Sequence, residues 1–279
     1  MKNILFLILG LLITIPTCGQ VSIDNDSIQI DSVNHSRVSL PHNSIQIDLE
    51  NVTKTDADSA YMKNDYSAAI QIYESLLKKG ESSDIYYNLG NSYYKVDEIA
   101  KAILNYERAL LLQPGNSDIR ANLEVARSKT IDKVESIPDI FIISWMKSLI
   151  NSMSVKAWAI WGIVAFILLI VALYLFIFTK QIILKKIGFI SGVLLLLITI
   201  SANIFASEQR DRLVNRDYAI IMSPSVTVRS TPSESGTNLF ILHEGSKVNI
   251  KDNSMKDWKE IRLEDGKVGW VSVSDLNVI

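Results

Sequence analysis

Two uncharged apolar runs, residues 157–179 and 187–206, constrain this chain more than any other feature, because the short polar segments around them cannot cover both. As a helix the first would be roughly 35 Å long, enough to cross a bilayer with some tilt, and the second is also of spanning length. The connection Lys180-Gln-Ile-Ile-Leu-Lys185-Lys186 carries three lysines. Basic residues in a short connection mark the cytoplasmic side, so residues 180–186 are expected as a cytoplasmic loop and both flanking regions on the outer face. Neither run holds an Asp, Glu, Lys, Arg or His side chain, which leaves a proton or ion path without support. Gly188 and Gly192 form a small-xxx-small pair suited to helix packing; chance spacing accounts for it equally well.

The N-terminus agrees independently with outward placement. Residues 1–19 read as a secretory signal: Lys2 supplies the positive start, residues 4–15 the apolar core, and Thr17 and Gly19 the small residues before Gln20. A second reading makes Cys18, the only cysteine, a lipid-modified N-terminus, although Ile15-Pro16-Thr17 is a poor lipidation box. In a chain maturing after Cys18 there is no disulfide, thiol nucleophile or thiolate metal site. Residues 20–52, rich in Ser, Asp and Asn, bury too little apolar surface to offset chain entropy and are expected as a disordered tether. They contain Asp26-Ser-Ile-Gln-Ile-Asp31 and Asn43-Ser-Ile-Gln-Ile-Asp48, whose alternating isoleucines also suit an edge strand for a partner.

From residue 53 to 132 the apolar spacing turns helical. Ala69-Ile70-Gln-Ile-Tyr73-Glu-Ser-Leu76-Leu77 returns 33 residues later as Ala102-Ile103-Leu-Asn-Tyr106-Glu-Arg-Ala109-Leu110. With Tyr86, Leu89, Gly90, Tyr93, Ala102, Tyr106, Ala109 and Pro114 at the signature positions, the second copy resembles the tetratricopeptide repeat. Two repeats and a closing helix over residues 117–129 are expected. Residues 133–156 form a juxtamembrane segment, for which an interfacial helix and a plain linker with Trp145 at the headgroups both stand. After a linker at 207–215, residues 216–279 show six short β-like runs at 218–222, 226–229, 239–242, 247–250, 258–263 and 267–271, separated by turn residues. Val228-Arg-Ser-Thr-Pro, Leu242-His-Glu-Gly245, Trp258-Lys-Glu-Ile261 and Gly269-Trp270-Val271 together resemble the bacterial SH3 domain. The expected fold class is a multidomain membrane protein: all-α tetratricopeptide hairpins, two transmembrane helices and a C-terminal all-β SH3-like barrel.

No catalytic constellation emerges, so the chain is expected not to be an enzyme. His35 and His42 fall in the tether and His243 in the barrel, which suggests neither a metal site nor a Ser-His-Asp arrangement. No Gly-rich phosphate loop is present and no cofactor is expected. A net charge of −2 gives no electrostatic reason for nucleic acid as a partner.

Binding surfaces are the better candidates. The tetratricopeptide resemblance implies a concave groove lined by Lys54, Asp58, Tyr61, Tyr87, Asn91, Tyr94 and Lys95, with Asn and Tyr available to an extended peptide. Lys54 and Asn91 fit a carboxylate clamp, but Asp58, Ala121 and Val125 occupy its other positions. That the tyrosines pack against the closing helix is an alternative that stays open. In the barrel, Trp258 and Trp270 are either a ligand shelf or core residues.

The order of modules, with Tyr86-Tyr-Asn-Leu-Gly-Asn91, Asn215-Arg-Asp217 and Met222-Ser-Pro-Ser-Val-Thr-Val-Arg229, resembles the BatE-like proteins of the Bacteroides aerotolerance operon. That resemblance implies a periplasm-facing scaffold of the Bacteroidota inner membrane, working with von Willebrand factor A-type proteins and a MoxR-type ATPase in tolerance of oxygen or envelope stress. The alternative is a peptidoglycan-binding anchor acting mainly through the barrel.

Overall fold

The computed structural model describes residues 52–133 and 140–279. The expected signal with Cys18, and the tether up to residue 51, lie outside the described residues. The described chain opens with α1 (Lys54–Met62), α2 (Tyr66–Leu77), α3 (Ser83–Lys95), α4 (Ile99–Leu112) and α5 (Ser117–Ser128). Local chemistry sets their starts. Thr53 and Asp56 form a reciprocal capping box on α1, Asp65 accepts from the Ala68 amide on α2, and Asn116 accepts from the Asp118 and Ile119 amides on α5. Asn64 and Asp97, both at φ 62°, turn the chain between the helices of each hairpin, a left-handed conformation that Asn and Asp tolerate. The helices bury a common core that includes Ile72, Tyr73, Leu89, Ile103, Tyr106, Ile119 and Leu123.

Three further helices follow: α6 (Phe141–Ile150), α7 (Val155–Phe178) and α8 (Ile182–Asn215). By length and composition α7 and α8 can each cross a membrane. They pack on one another through small residues, with Ala165, Leu169 and Ala172 of α7 and Gly188, Gly192 and Ala202 of α8 buried. A Cβ on Gly188 would lie 2.9 Å from the Ala172 carbonyl oxygen and the Phe176 nitrogen, so the two glycines serve this intramolecular seam. Helix α8 also takes in most of the segment expected as a loop at 180–186 and all of the linker at 207–215. Residues 207–215 contain no Gly or Pro, and Arg212 pairs with Glu208 at i,i+4. The helix stops only at Arg216, which adopts φ 48°. The barrel therefore stands on a continuous rod.

The C-terminal strands are β1 (Tyr218–Ile221), β2 (Ser225–Arg229), β3 (Asn238–His243), β4 (Lys247–Asp252), β5 (Trp258–Arg262), β6 (Val268–Ser272) and β7 (Leu276–Val278). They form one antiparallel sheet in the order β3-β2-β6-β5-β4-β1-β7, curled around Ala219, Ile221, Val228, Val248, Ile261 and Val271. The six expected strands are all present, and β7 is an addition: a three-residue strand held against β1.

The barrel does not stand apart from the repeats. Ile220 and Ile279 are buried within the core of the helical domain, with Met222 packed beside them. Beneath them Glu107 of α4, only 6% exposed, accepts from Lys247 of β4 at 2.7 Å and from Arg127 of α5. Arg108 donates to the Val278 carbonyl at 2.6 Å, and Asp132 accepts from the His243 amide at 2.7 Å and the Ser246 hydroxyl at 2.6 Å. A Cβ on Gly115 would collide with the Ser152 carbonyl oxygen, so the α4–α5 turn rests directly on the α6–α7 turn. The apolar contacts supply the attraction, whereas the buried charges set the register, because their desolvation largely cancels their mutual attraction.

Burial opposes charge on Glu107, but Lys247 and Arg127 outweigh it and hold its carboxyl below the usual range. Asp132 is likewise opposed by burial and held down by Ser246 and His243. Both lowered carboxylates contribute stability that is present above the unfolded value of about 4 and lost as pH falls through their folded values. Glu107→Ala is expected to destabilise the docked unit by about 2–3 kcal/mol at neutral pH, a low figure for a buried partner because Lys247 and Arg127 keep some solvent access. Glu107→Gln is expected to flatten the loss of stability below pH ~4. Denaturant unfolding of the detergent-solubilised protein, followed by tryptophan emission, measures both.

Candidate functional site

The concave side of the helical domain is formed by α1, α3 and α5, the helices that the hairpin turns bring to one face. Two adjoining cavities open there. One, of about 290 Å³, is lined by Asp58, Tyr61, Met62, Tyr73, Asn88 and Asn91. The other, of about 240 Å³, is lined by Tyr61, Asn91, Tyr94, Lys95, Tyr106, Asn122 and Val125. Tyr61 and Asn91 belong to both, so the groove is one trough divided at those two side chains. Of the residues expected from sequence, Asp58, Tyr61, Asn91, Tyr94 and Lys95 come together here. Lys54 stands outside, held by Asp58 at 2.8 Å.

A hydrogen-bond network fixes the floor. Asn91 Oδ1 accepts from the Tyr106 hydroxyl at 2.8 Å and from Asn122 Nδ2 at 2.9 Å, and the same Asn122 amide reaches the Tyr87 hydroxyl at 3.0 Å. Tyr87 thus braces the wall against the closing helix and lines neither cavity. Tyr94 differs: its ring lies under the Lys129 ammonium, 4.3 Å from the ring centre, while still lining the trough. Asp58 gathers three donors, Lys54, Tyr73 and Asn88. Burial would raise its pKa, but those donors outweigh burial and hold the carboxyl below its usual range. The Tyr106 hydroxyl is pushed above the ordinary phenol value, chiefly by burial. At neutral pH the trough therefore presents neutral phenols and amides, a compensated carboxylate and the exposed ammonium of Lys95. Amide and phenol groups of this kind suit the backbone of an extended chain.

Asn88, Asn122 and Tyr106 are lining or network residues that sequence reasoning did not place among the candidates. Tyr106 was legible only as a packing residue of the second hairpin. Asn122 lies on the closing helix, and its polar side chain within an otherwise amphipathic pattern was the available signal.

On the barrel, the alternation of β5 and β6 separates two faces. Lys259, Ile261, Gly269 and Val271 are buried, whereas Trp258 and Trp270 are half-buried on the opposite face. Glu260 pairs with Trp270, and Trp258 with Ser272, so the tryptophans are diagonal neighbours on adjacent strands. Neither ring belongs to the buried cluster of the barrel. Pairing Arg229 of β2 opposite Trp270 brings a cationic residue to the same outer face.

A larger cavity, of about 440 Å³, lies where the helical domain, the top of α8 and the barrel meet. Much of its charge is spent internally, Glu107 on Lys247 and Arg127, Arg212 on Glu208, and Arg216 on Glu81. It has the character of a seam between docked parts.

Residues 83–116 match the tetratricopeptide repeat family, and residues 224–277 match the bacterial SH3 domain family. No curated protein matches the chain. The two matched segments coincide with the second hairpin and with the curled sheet, so the chain combines a tetratricopeptide module with a bacterial SH3 module.

Asp58→Ala would leave the Tyr73 hydroxyl and the Asn88 amide short of an acceptor. It is expected to cost about 1–3 kcal/mol of stability, whereas Lys54→Ala, which removes only an exposed i,i+4 pair, should cost less than about 0.5 kcal/mol. Thermal unfolding of the two variants side by side checks the difference.

Proposed function

We propose that this chain is a membrane-anchored, non-catalytic scaffold of the bacterial envelope, whose tetratricopeptide groove holds an extended segment of a protein partner. The observation that carries the reading is the two-lobed trough shared by Tyr61 and Asn91, with its amide and phenol groups held in place by Tyr87, Tyr106 and Asn122. The helices α7 and α8 are the membrane anchor in this reading. Lys180, Lys185 and Lys186 favour a cytoplasmic connection, which puts the groove and the barrel on the periplasmic side. The combination of modules supports a BatE-like role, with von Willebrand factor A-type proteins and a MoxR-type ATPase as partners in an aerotolerance or stress complex.

The groove reading is tested by affinity purification of the tagged chain from mild detergent. Tyr61→Ala/Tyr94→Ala/Lys95→Ala leaves the Asn91 network intact and is expected to weaken capture of a membrane-protein partner by about tenfold or more. An unchanged set of co-purifying proteins would remove the groove from consideration.

A second reading, peptidoglycan binding through the barrel, is favoured by the half-buried pair Trp258 and Trp270 on the outer sheet face. In that case the full-length protein should sediment with purified cell wall, and Trp258→Ala/Trp270→Ala should release it while leaving partner capture unaltered. Topology has its own measurement. A cysteine at Ser254 is expected to react with a membrane-impermeant maleimide in intact spheroplasts, and one at Lys185 only after permeabilisation.

A further inference from the structure

Helix α6 carries the most exposed apolar surface among the described residues outside the two long helices. Phe141 is 81% exposed, Ile142 68%, Ile143 44% and Trp145 57%, and no residue of the helix is buried. Its polar residues are not scattered. Ser144, Lys147 and Ser148 fall at i, i+3 and i+4 and so share one side, leaving Phe141, Ile142, Ile143, Trp145, Met146, Leu149 and Ile150 to fill the rest of the circumference. An apolar face of this extent marks an interaction site.

The end of the helix is fixed in height. The Trp158 indole donates to the Ile150 carbonyl at 3.0 Å, and the buried Gln209 amide donates to the Met153 carbonyl at 2.7 Å and also to Ile150. Arg212 donates to Asn151 Oδ1 at 3.2 Å. These donors sit at the first turn of α7 and just beyond the apolar part of α8, where an amphipathic indole and the first polar side chains belong at a bilayer boundary. Tethered there by a four-residue turn, α6 starts at the level of the headgroups.

We infer that α6 is an interfacial helix, whose Phe141, Ile142 and Trp145 face is embedded in the outer leaflet of the same bilayer that α7 and α8 cross. This rests on the reading that α7 and α8 span the membrane. The partner is the lipid surface: the apolar face continues directly from the spanning helices, and Lys147 lies on the polar side, as in helices that lie in the interfacial plane. The α4–α5 turn of the helical domain, seated on Ser152, then takes its height above the bilayer from α6 as well as from the spans.

The test uses the full chain with Cys18, its only cysteine, replaced by serine. The protein is reconstituted in nanodiscs of phosphatidylethanolamine and phosphatidylglycerol and spin-labelled at single cysteines introduced as Ile142→Cys, Trp145→Cys, Ser148→Cys or Ile167→Cys. Collision with oxygen reports lipid and collision with a nickel chelate reports water. The expected result is that labels at 142 and 145 resemble the mid-span label at 167, rich in oxygen and several-fold less accessible to nickel than the label at 148. If 142 and 145 meet nickel as freely as 148 while 167 stays in lipid, the interfacial helix is overturned and the spans stand. If 142 and 145 are shielded from both reagents, protein covers the face, a partner or a second copy, and the lipid assignment is overturned. If 167 itself meets nickel, the spanning reading fails and the inference falls with it.

Discussion

The burial of Ile220 and Ile279 of the barrel in the core of the helical domain is the contact on which the docked pair of modules depends. Two tetratricopeptide hairpins and a closing helix are near the lower limit for a stable repeat array, because each repeat covers its apolar face only with its neighbours. Here the outer side of α4 is covered by β1, β4 and β7 instead of by another hairpin. The barrel thereby acts as a cap for the repeat array. Glu107 then makes the docking directional: a carboxylate 6% exposed requires Lys247 and Arg127 in place, and a shifted register would leave it buried and unpaired.

That docking determines where function can reside. With the outer side of α4 occupied, the concave side made by α1, α3 and α5 remains open, and it is there that the amide and phenol groups collect. On the barrel, the strands engaged with α4 leave the outer face of β5 and β6 free, the face that carries Trp258 and Trp270. The two candidate surfaces thus belong to one docked unit standing on the α8 rod. A ligand on one would be held at a set distance from a ligand on the other.

The apolar helices add a second constraint. Glycines at 188 and 192 let α7 and α8 approach closely, so the two form a paired hairpin, and Gln209 and Trp158 tie the α6–α7 turn to one end of it. The helical domain is consequently supported from below by Ser152 and from the side by the barrel.

Much of this was legible in the sequence because it depends on local patterning. The 33-residue echo, the capping residues, the uncharged runs and the strand-turn alternation each report a near-neighbour constraint, and they led to the five repeat helices, the two long apolar helices and six of the seven strands. Asp58, Tyr61, Asn91, Tyr94 and Lys95 could be placed on one groove because the tetratricopeptide resemblance assigns that face to the first helix of each hairpin. What only the tertiary structure decided involves residues far apart in the chain: Glu107 with Lys247, Asp132 with His243, Asn122 with Asn91 and Tyr87, and Gly115 against Ser152. It also decided the outward side of Trp258 and Trp270, since alternation separates the two faces of a strand without saying which one the sheet will curl around. Local propensity and periodicity are read along the chain, whereas the burial of a charge or the bracing of a tyrosine depends on which surfaces meet once it folds.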